Sequence, residues 1–150
     1  MRSRRLPKPM AIRVLIADDS VSIRELLRWQ MERLGYEVVG EAENAGQLVS
    51  LFRALRPNVV TLDLVMPNED EMDALTAFRI IKKEAPWVPI LVLSAVPFNK
   101  TRELFLEEGA FDYVVKPFGR NLKDALRKLE RAFPDLRPQG LLGRVRKAQL

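Results

Sequence analysis

The sequence of 150 residues contains neither cysteine nor histidine. The chain therefore has no disulfide bond, no thiolate nucleophile, no histidine general base and no zinc site of the usual ligand types. Any metal ion that it binds must be a hard cation held by oxygen atoms.

A long hydrophobic run is also missing near the start of the chain. The apolar stretch 11–17 is interrupted by Arg13 and leads directly into Asp18 and Asp19. It is too short and too polar for a signal peptide or a membrane span, so we expect a cytoplasmic protein that does not contact a membrane. With 47% hydrophobic and 30% charged residues, the composition is that of one soluble globular domain.

The net charge of +5 belongs to the two ends of the chain. Residues 1–10 contain four basic residues and no acid, and residues 134–150 contain four basic residues and one acid. We therefore predict a basic N-terminal tail (1–10), a slightly acidic domain (11–133) and a basic C-terminal tail or linker stub (134–150). The last segment is too short for a helix-turn-helix domain, so we expect no folded nucleic-acid-binding domain.

Strand-like and helix-like patterns alternate five times along residues 11–133. Short apolar runs predict the strands, whereas apolar residues repeating every three or four positions predict the helices. Ser20, Asn44 and Asp70 or Asp73 are suited to start the first three helices. The predicted strands are 12–17, 36–42, 59–63, 90–93 and 113–115; the last two helices are 99–108 and 120–133.

This alternation predicts an α/β fold with right-handed crossovers and a parallel sheet that is covered on both faces. Five strands favour the flavodoxin-like, doubly wound (βα)5 arrangement with strand order 2-1-3-4-5. Ligands of such folds bind beyond the carboxyl ends of the strands, near the reversal of strand order between strands one and three.

Polar residues follow four of the predicted strands, and the fold would bring them together at the carboxyl ends of the strands. Each alone is an ordinary loop or cap residue, but three neighbouring carboxylates repel one another unless a cation or a raised pKa relieves them. Mg²⁺ would do so, and a nearby lysine would supply the charge that a phosphoryl group needs. The residues are Asp18 and Asp19 after strand one, Asp63 at strand three, Ser94 after strand four, and Lys116 with Pro117 after strand five.

These residues lie in blocks that resemble the receiver domain of bacterial two-component response regulators. The blocks are "VLIADDS", "VVTLDLVMP", "LVLSA" and "YVVKPF". The resemblance covers about residues 11–133 and is closest to the small chemotaxis-type receivers. The order of the four blocks, their spacing and their strand register all agree with the family pattern.

The resemblance implies that Asp63 accepts a phosphoryl group from the phosphohistidine of a sensor histidine kinase or a histidine phosphotransfer protein. Asp19 and Asp63 would ligate Mg²⁺ directly, Asp18 would act through a water molecule, and the backbone carbonyl of Val65 would be a further ligand. Lys116 would contact the phosphoryl oxygens. Such a domain is not a conventional enzyme, although it catalyses its own phosphorylation and slow dephosphorylation.

The resemblance also implies a conformational switch. Ser94 would turn toward the phosphoryl group and Tyr113 would rotate inward, changing the face formed by helix four, strand five and helix five. Ala95 and Pro117 would belong to the loops beside the site. The changed face would bind a downstream protein target, an output domain absent from this chain, or a second copy in a homodimer.

Three residues depart from the family pattern. Glu71 stands where the family usually has glycine, which predicts a different path between Asp63 and helix three. Val65 and Val96 flank the site where many relatives have polar groups. We hypothesise that they leave the attacking water poorly oriented, so that the phosphorylated form is long-lived.

Other classes of protein fit less well. A haloacid-dehalogenase phosphatase needs Asp-x-Asp after strand one, whereas this chain has Asp18, Asp19 and Ser20 there. A P-loop or dinucleotide-binding protein needs a glycine-rich turn at that place, and it is absent. The remaining alternative is a degenerate receiver that binds proteins independently of phosphate.

Overall fold

The computed structural model describes residues 10–67, 72–95 and 100–137. Five parallel strands form one sheet in the order β2-β1-β3-β4-β5, which confirms the predicted order 2-1-3-4-5. A helix follows each strand. The strands are β1 (Arg13–Ala17), β2 (Glu37–Ala42), β3 (Val59–Leu62), β4 (Ile90–Ser94) and β5 (Asp112–Val115); the helices are α1 (Val21–Arg33), α2 (Ala45–Leu55), α3 (Ala74–Glu84), α4 (Lys100–Glu107) and α5 (Arg120–Ala132).

The sheet is covered on both faces, as its uninterrupted apolar strands predict. One hydrophobic cluster joins the sheet to α2, α3 and α4, and includes Leu48, Phe78 and Phe105. The other joins it to α1 and α5, and includes Leu27 and Leu126. Strands β3 and β4 have no charged side chain, and the aspartates Asp18 and Asp63 lie just beyond strand ends.

Side-chain caps start the first three helices. The hydroxyl of Ser20 accepts a hydrogen bond from the amide of Ile23, and the side chain of Asn44 caps α2 in the same way. Asp73 caps α3 through the amide of Thr76. Asp70, the other predicted start, lies outside the described residues.

The ends of the described chain contain an element that the sequence pattern did not predict. Met10–Ala11 pairs in parallel with Leu136–Arg137, which forms a separate two-stranded sheet. The pairing brings together parts of the two segments that the charge pattern assigns to tails. Among the residues that the structure describes, no helix has the length and apolar character required to cross a membrane.

Candidate functional site

The carboxyl ends of β1 and β3 place two aspartates side by side. Asp18 directly follows β1 and Asp63 directly follows β3, and these strands are neighbours in the sheet. The backbone amide of Asp63 donates to the carbonyl of Ala17 over 2.9 Å, and that of Asp18 donates to the carbonyl of Ala42 over 3.0 Å. Sheet hydrogen bonding therefore continues through both residues and holds their backbones in register.

Asp18, Asp19 and Asp63 form a compact cluster of carboxylates. One oxygen from each lies within 4.8 Å of the other two. Asp18 and Asp63 are buried, and Asp63 is only 4% exposed, whereas Asp19 faces solvent. Two acids are thus withdrawn from water, and the third lies at the mouth of the site.

Lys116 places its ammonium group between the two buried acids. Its Nζ donates to Asp18 Oδ2 over 2.7 Å and lies 3.5 Å from Asp63 Oδ1. The backbone amide of Lys116 donates to the carbonyl of Ser94 over 2.8 Å, which aligns the ends of β4 and β5. The peptide between Lys116 and Pro117 is cis.

One ammonium group does not balance three carboxylates. Burial, followed by the neighbouring charge of Asp18, raises the pKa of Asp63 from its usual 3.8 to about 6, with a smaller contribution from Asp19. The charge of Lys116 and the hydrogen bond from the amide of Val65 lower the pKa of Asp63, but by less. The three carboxylates therefore have too little positive charge beside them. Three clustered carboxylate oxygens suit a hard divalent cation such as Mg²⁺.

The remaining predicted residues surround this cluster. Ser94 is fully buried at the end of β4, and Tyr113 of β5 is buried within the same hydrophobic cluster as Phe105. Val65 has a 60% exposed side chain, but its amide donates to Asp63 Oδ1 over 3.3 Å.

Ala95 and Pro117 lie exposed in the two neighbouring loops. Glu71 and Val96, the two other departures from the family pattern, lie outside the described residues. The predicted consequences of these two residues therefore stay predictions.

The sequence reasoning missed Arg24, a buried basic residue on α1. Its Nη1 donates to the backbone carbonyl of Asp18 over 2.7 Å. The signal available in the sequence was a charged residue between Ile23 and Leu27, on the apolar side of an amphipathic helix. An arginine in that position needs a buried acceptor.

The fold and site together define a flavodoxin-like α/β protein with an acidic, cation-suited cluster at the reversal of its strand order. The response regulator receiver domain matches residues 14–133 of the chain. The chain belongs to this family, and is therefore a receiver domain of two-component signalling. Receiver domains interact with histidine kinases and with downstream targets.

Similar proteins include small receivers and longer regulators. The chain is 38% identical over 109 residues to the chemotaxis protein CheY of Thermotoga maritima, which covers 73% of this chain and 88% of that protein. It is 40% identical over 112 residues to the protein-glutamate methylesterase/protein-glutamine glutaminase of Alkalilimnicola ehrlichii, where 73% of this chain matches 28% of the longer protein.

A solved structure with a similar fold is the response regulator domain of Thermotoga maritima CheB. It is 30% identical, with a TM-score of 0.67 over 81% of this chain and 92% of that one. A two-component response regulator of the LuxR family from Aurantimonas sp. SI85-9A1 is 29% identical, with a TM-score of 0.73 over 81% of this chain and 86% of that one. Both comparisons agree with the family assignment.

Proposed function

We propose that this domain, residues 11–133 between two basic tails, is a cytoplasmic phosphoacceptor. Asp63 receives a phosphoryl group from the phosphohistidine of a sensor histidine kinase or a histidine phosphotransfer protein. The observation that carries the proposal is the environment of Asp63, a buried carboxylate close to Asp18, Asp19 and the ammonium group of Lys116. The absence of histidine from the chain agrees with it, because the partner then supplies the donor.

The transfer breaks the P–N bond of the donor while a carboxylate oxygen of Asp63 forms the new P–O bond, and the electron pair leaves with the imidazole nitrogen. Catalysis of such a loose transfer consists mainly of positioning and charge neutralisation. The amide of Val65 and the ammonium group of Lys116 orient the Asp63 carboxylate, since both lie at its Oδ1. Lys116 then contacts the phosphoryl oxygens.

Asp18, Asp19 and Asp63 would hold Mg²⁺, with the backbone carbonyl of Val65 as a further ligand and a water molecule between Asp18 and the ion. When bound, Mg²⁺ supplies the positive charge that the carboxylate cluster lacks and neutralises charge on the phosphoryl oxygens. The raised pKa of Asp63 supports this assignment, because burial and the neighbouring charge of Asp18 both disfavour the charged carboxylate when no cation is bound.

The signal then passes through Ser94 and Tyr113 to the face formed by α4, β5 and α5. The burial of Tyr113 in one cluster with Phe105 of α4 supports this route, because a rotation of the tyrosine must change the packing between β5 and α4. The face is read by a downstream protein, by an output domain outside this chain, or by a second copy in a homodimer.

The test is incubation with acetyl phosphate and MgCl₂, followed by intact-mass measurement. We expect one added phosphoryl group on the wild type and none on Asp63→Asn. Asp73→Asn is the matched control, because it removes an exposed carboxylate from the start of α3 while keeping a capping side chain, and it should be phosphorylated normally. Failure of the wild type with acetyl phosphate and with a phosphorylated kinase would favour the phosphate-independent binding module.

A further inference from the structure

The guanidinium group of Arg24 holds the peptide group that joins Asp18 to Asp19. Its Nη1 donates to the carbonyl of Asp18 over 2.7 Å in a buried environment. Resting on the proposed function, we propose that Arg24 is a positioning residue that orients Asp19 for Mg²⁺ by fixing this peptide plane.

Side-chain contacts hold the carboxylate of Asp18, whereas the carboxylate of Asp19 is held only through its backbone. The side chain of Asp18 is held at both oxygens, by the amide of Ser20 over 2.9 Å and by Lys116 over 2.7 Å. Within the described parts of the chain, the carboxylate of Asp19 has no hydrogen bond or ion pair. The backbone of Asp19 therefore sets where its side chain starts, and the planar peptide group that precedes it is the one that Arg24 holds.

Two acids near the end of β2 hold Arg24 in place. Its Nε lies 3.2 Å from Glu41 Oε1, and its Nη2 lies 3.5 Å from Glu43 Oε1. The planar fork can make these contacts while Nη1 still reaches the Asp18 carbonyl, which a lysine ammonium group cannot do with the same geometry. The guanidinium group thus connects β2 to the loop that carries Asp18 and Asp19.

Arg28 provides a matched control on the same helix. It shares Glu41 with Arg24 through Nη2, at 2.9 Å, and also pairs with Glu32. Among the described residues, no hydrogen bond or ion pair joins Arg28 to Asp18. Replacing Arg28 therefore removes a positive charge from the same network and leaves the peptide between Asp18 and Asp19 held.

The sign of the effect on Mg²⁺ affinity separates positioning from simple electrostatics. Loss of a positive charge near the site would by itself tighten cation binding. Loss of a group that orients a metal ligand weakens binding, commonly by about ten-fold or more. We therefore expect Arg24→Gln to bind Mg²⁺ about ten-fold more weakly than the wild type, and Arg28→Gln to bind it as tightly as the wild type or more tightly.

The experiment is calorimetric titration of each protein with MgCl₂ alone, with urea unfolding measured in parallel. Arg24→Lys, which keeps the charge without the fork, should give an intermediate loss and serves as the deciding variant if Arg24→Gln does not fold. Without metal, ¹⁵N relaxation should show a more mobile Asp19 amide in the Arg24 variants and an unchanged one in Arg28→Gln.

The outcomes distinguish this proposal from the proposed function. A wild type that does not bind Mg²⁺ would overturn both. A wild type that binds Mg²⁺, with Arg24→Lys binding it equally well or Arg28→Gln losing as much affinity as the Arg24 variants, would overturn the role of Arg24 alone.

Discussion

Replacing Asp63 by asparagine should stabilise the unphosphorylated protein at pH 8 when no divalent cation is present. The wild-type carboxylate is buried beside Asp18 and is charged at that pH. Asparagine has nearly the same shape, keeps an oxygen for the amide of Val65, and carries no charge. The substitution thus removes an electrostatic cost that the apo protein otherwise bears.

The size of this cost follows from the pKa of Asp63. The folded protein raises that pKa from 3.8 to about 6, and the difference corresponds to about 3 kcal/mol of unfolding free energy. Because the folded state binds the proton more tightly than the unfolded state, the cost is absent below pH 4, develops between pH 4 and 6, and is complete above pH 6. Asp63→Asn should therefore gain stability over the wild type only as the pH rises through this window.

The assay is urea unfolding followed by circular dichroism in EDTA at pH 4 and pH 8. The control is Asp124→Asn, which removes an exposed carboxylate from α5 and should change stability little at either pH. A stability difference between Asp63→Asn and the wild type that is the same at both values of pH would refute the reasoning.

Three further predictions concern other links between sequence and structure. Asp73→Ala should lower the unfolding free energy by about 1 kcal/mol at pH 7 through loss of the α3 cap; urea unfolding should show this difference shrinking in acid, because the cap lowers the pKa of Asp73. Phe78→Ala should lower the unfolding free energy by about 4 kcal/mol in the same assay. The ring is fully buried and packs edge-on against Phe105, with 5.1 Å between the ring centroids. Val65→Asn should shorten the lifetime of phosphorylated Asp63, measured by loss of the phosphoryl mass, and an unchanged rate would contradict the hypothesis that Val65 leaves water poorly oriented.

Local patterns were sufficient to predict the sheet and which residues lie at the ends of its strands. Apolar runs and helical spacing identified all five strand-helix pairs, and capping residues such as Asn44 lie where the pattern placed them. The parallel topology then required Asp18, Asp63 and Lys116 to meet at one edge. These are consequences of periodicity and chain connectivity, which sequence displays directly.

Other features depend on contacts that no local pattern contains. Arg56 takes a left-handed conformation at the end of α2, and the side chain of Arg13 donates to the carbonyls of Leu55 and Arg56. The pairing of Met10–Ala11 with Leu136–Arg137 likewise joins segments from opposite ends of the domain. Their hydrogen bonds form only after the domain has brought these segments together.

The sequence by itself determined the order of elements, the strand ends and the identity of the acidic residues there, because each follows from local hydrophobic spacing and from chain connectivity. Only the tertiary structure decided that Lys116 lies nearer to Asp18 than to Asp63, that burial raises the pKa of Asp63, and that Arg24 holds the peptide before Asp19. The physical reason is that charge interactions depend on distance and burial, and Lys116 and Asp18 are 98 positions apart in the chain.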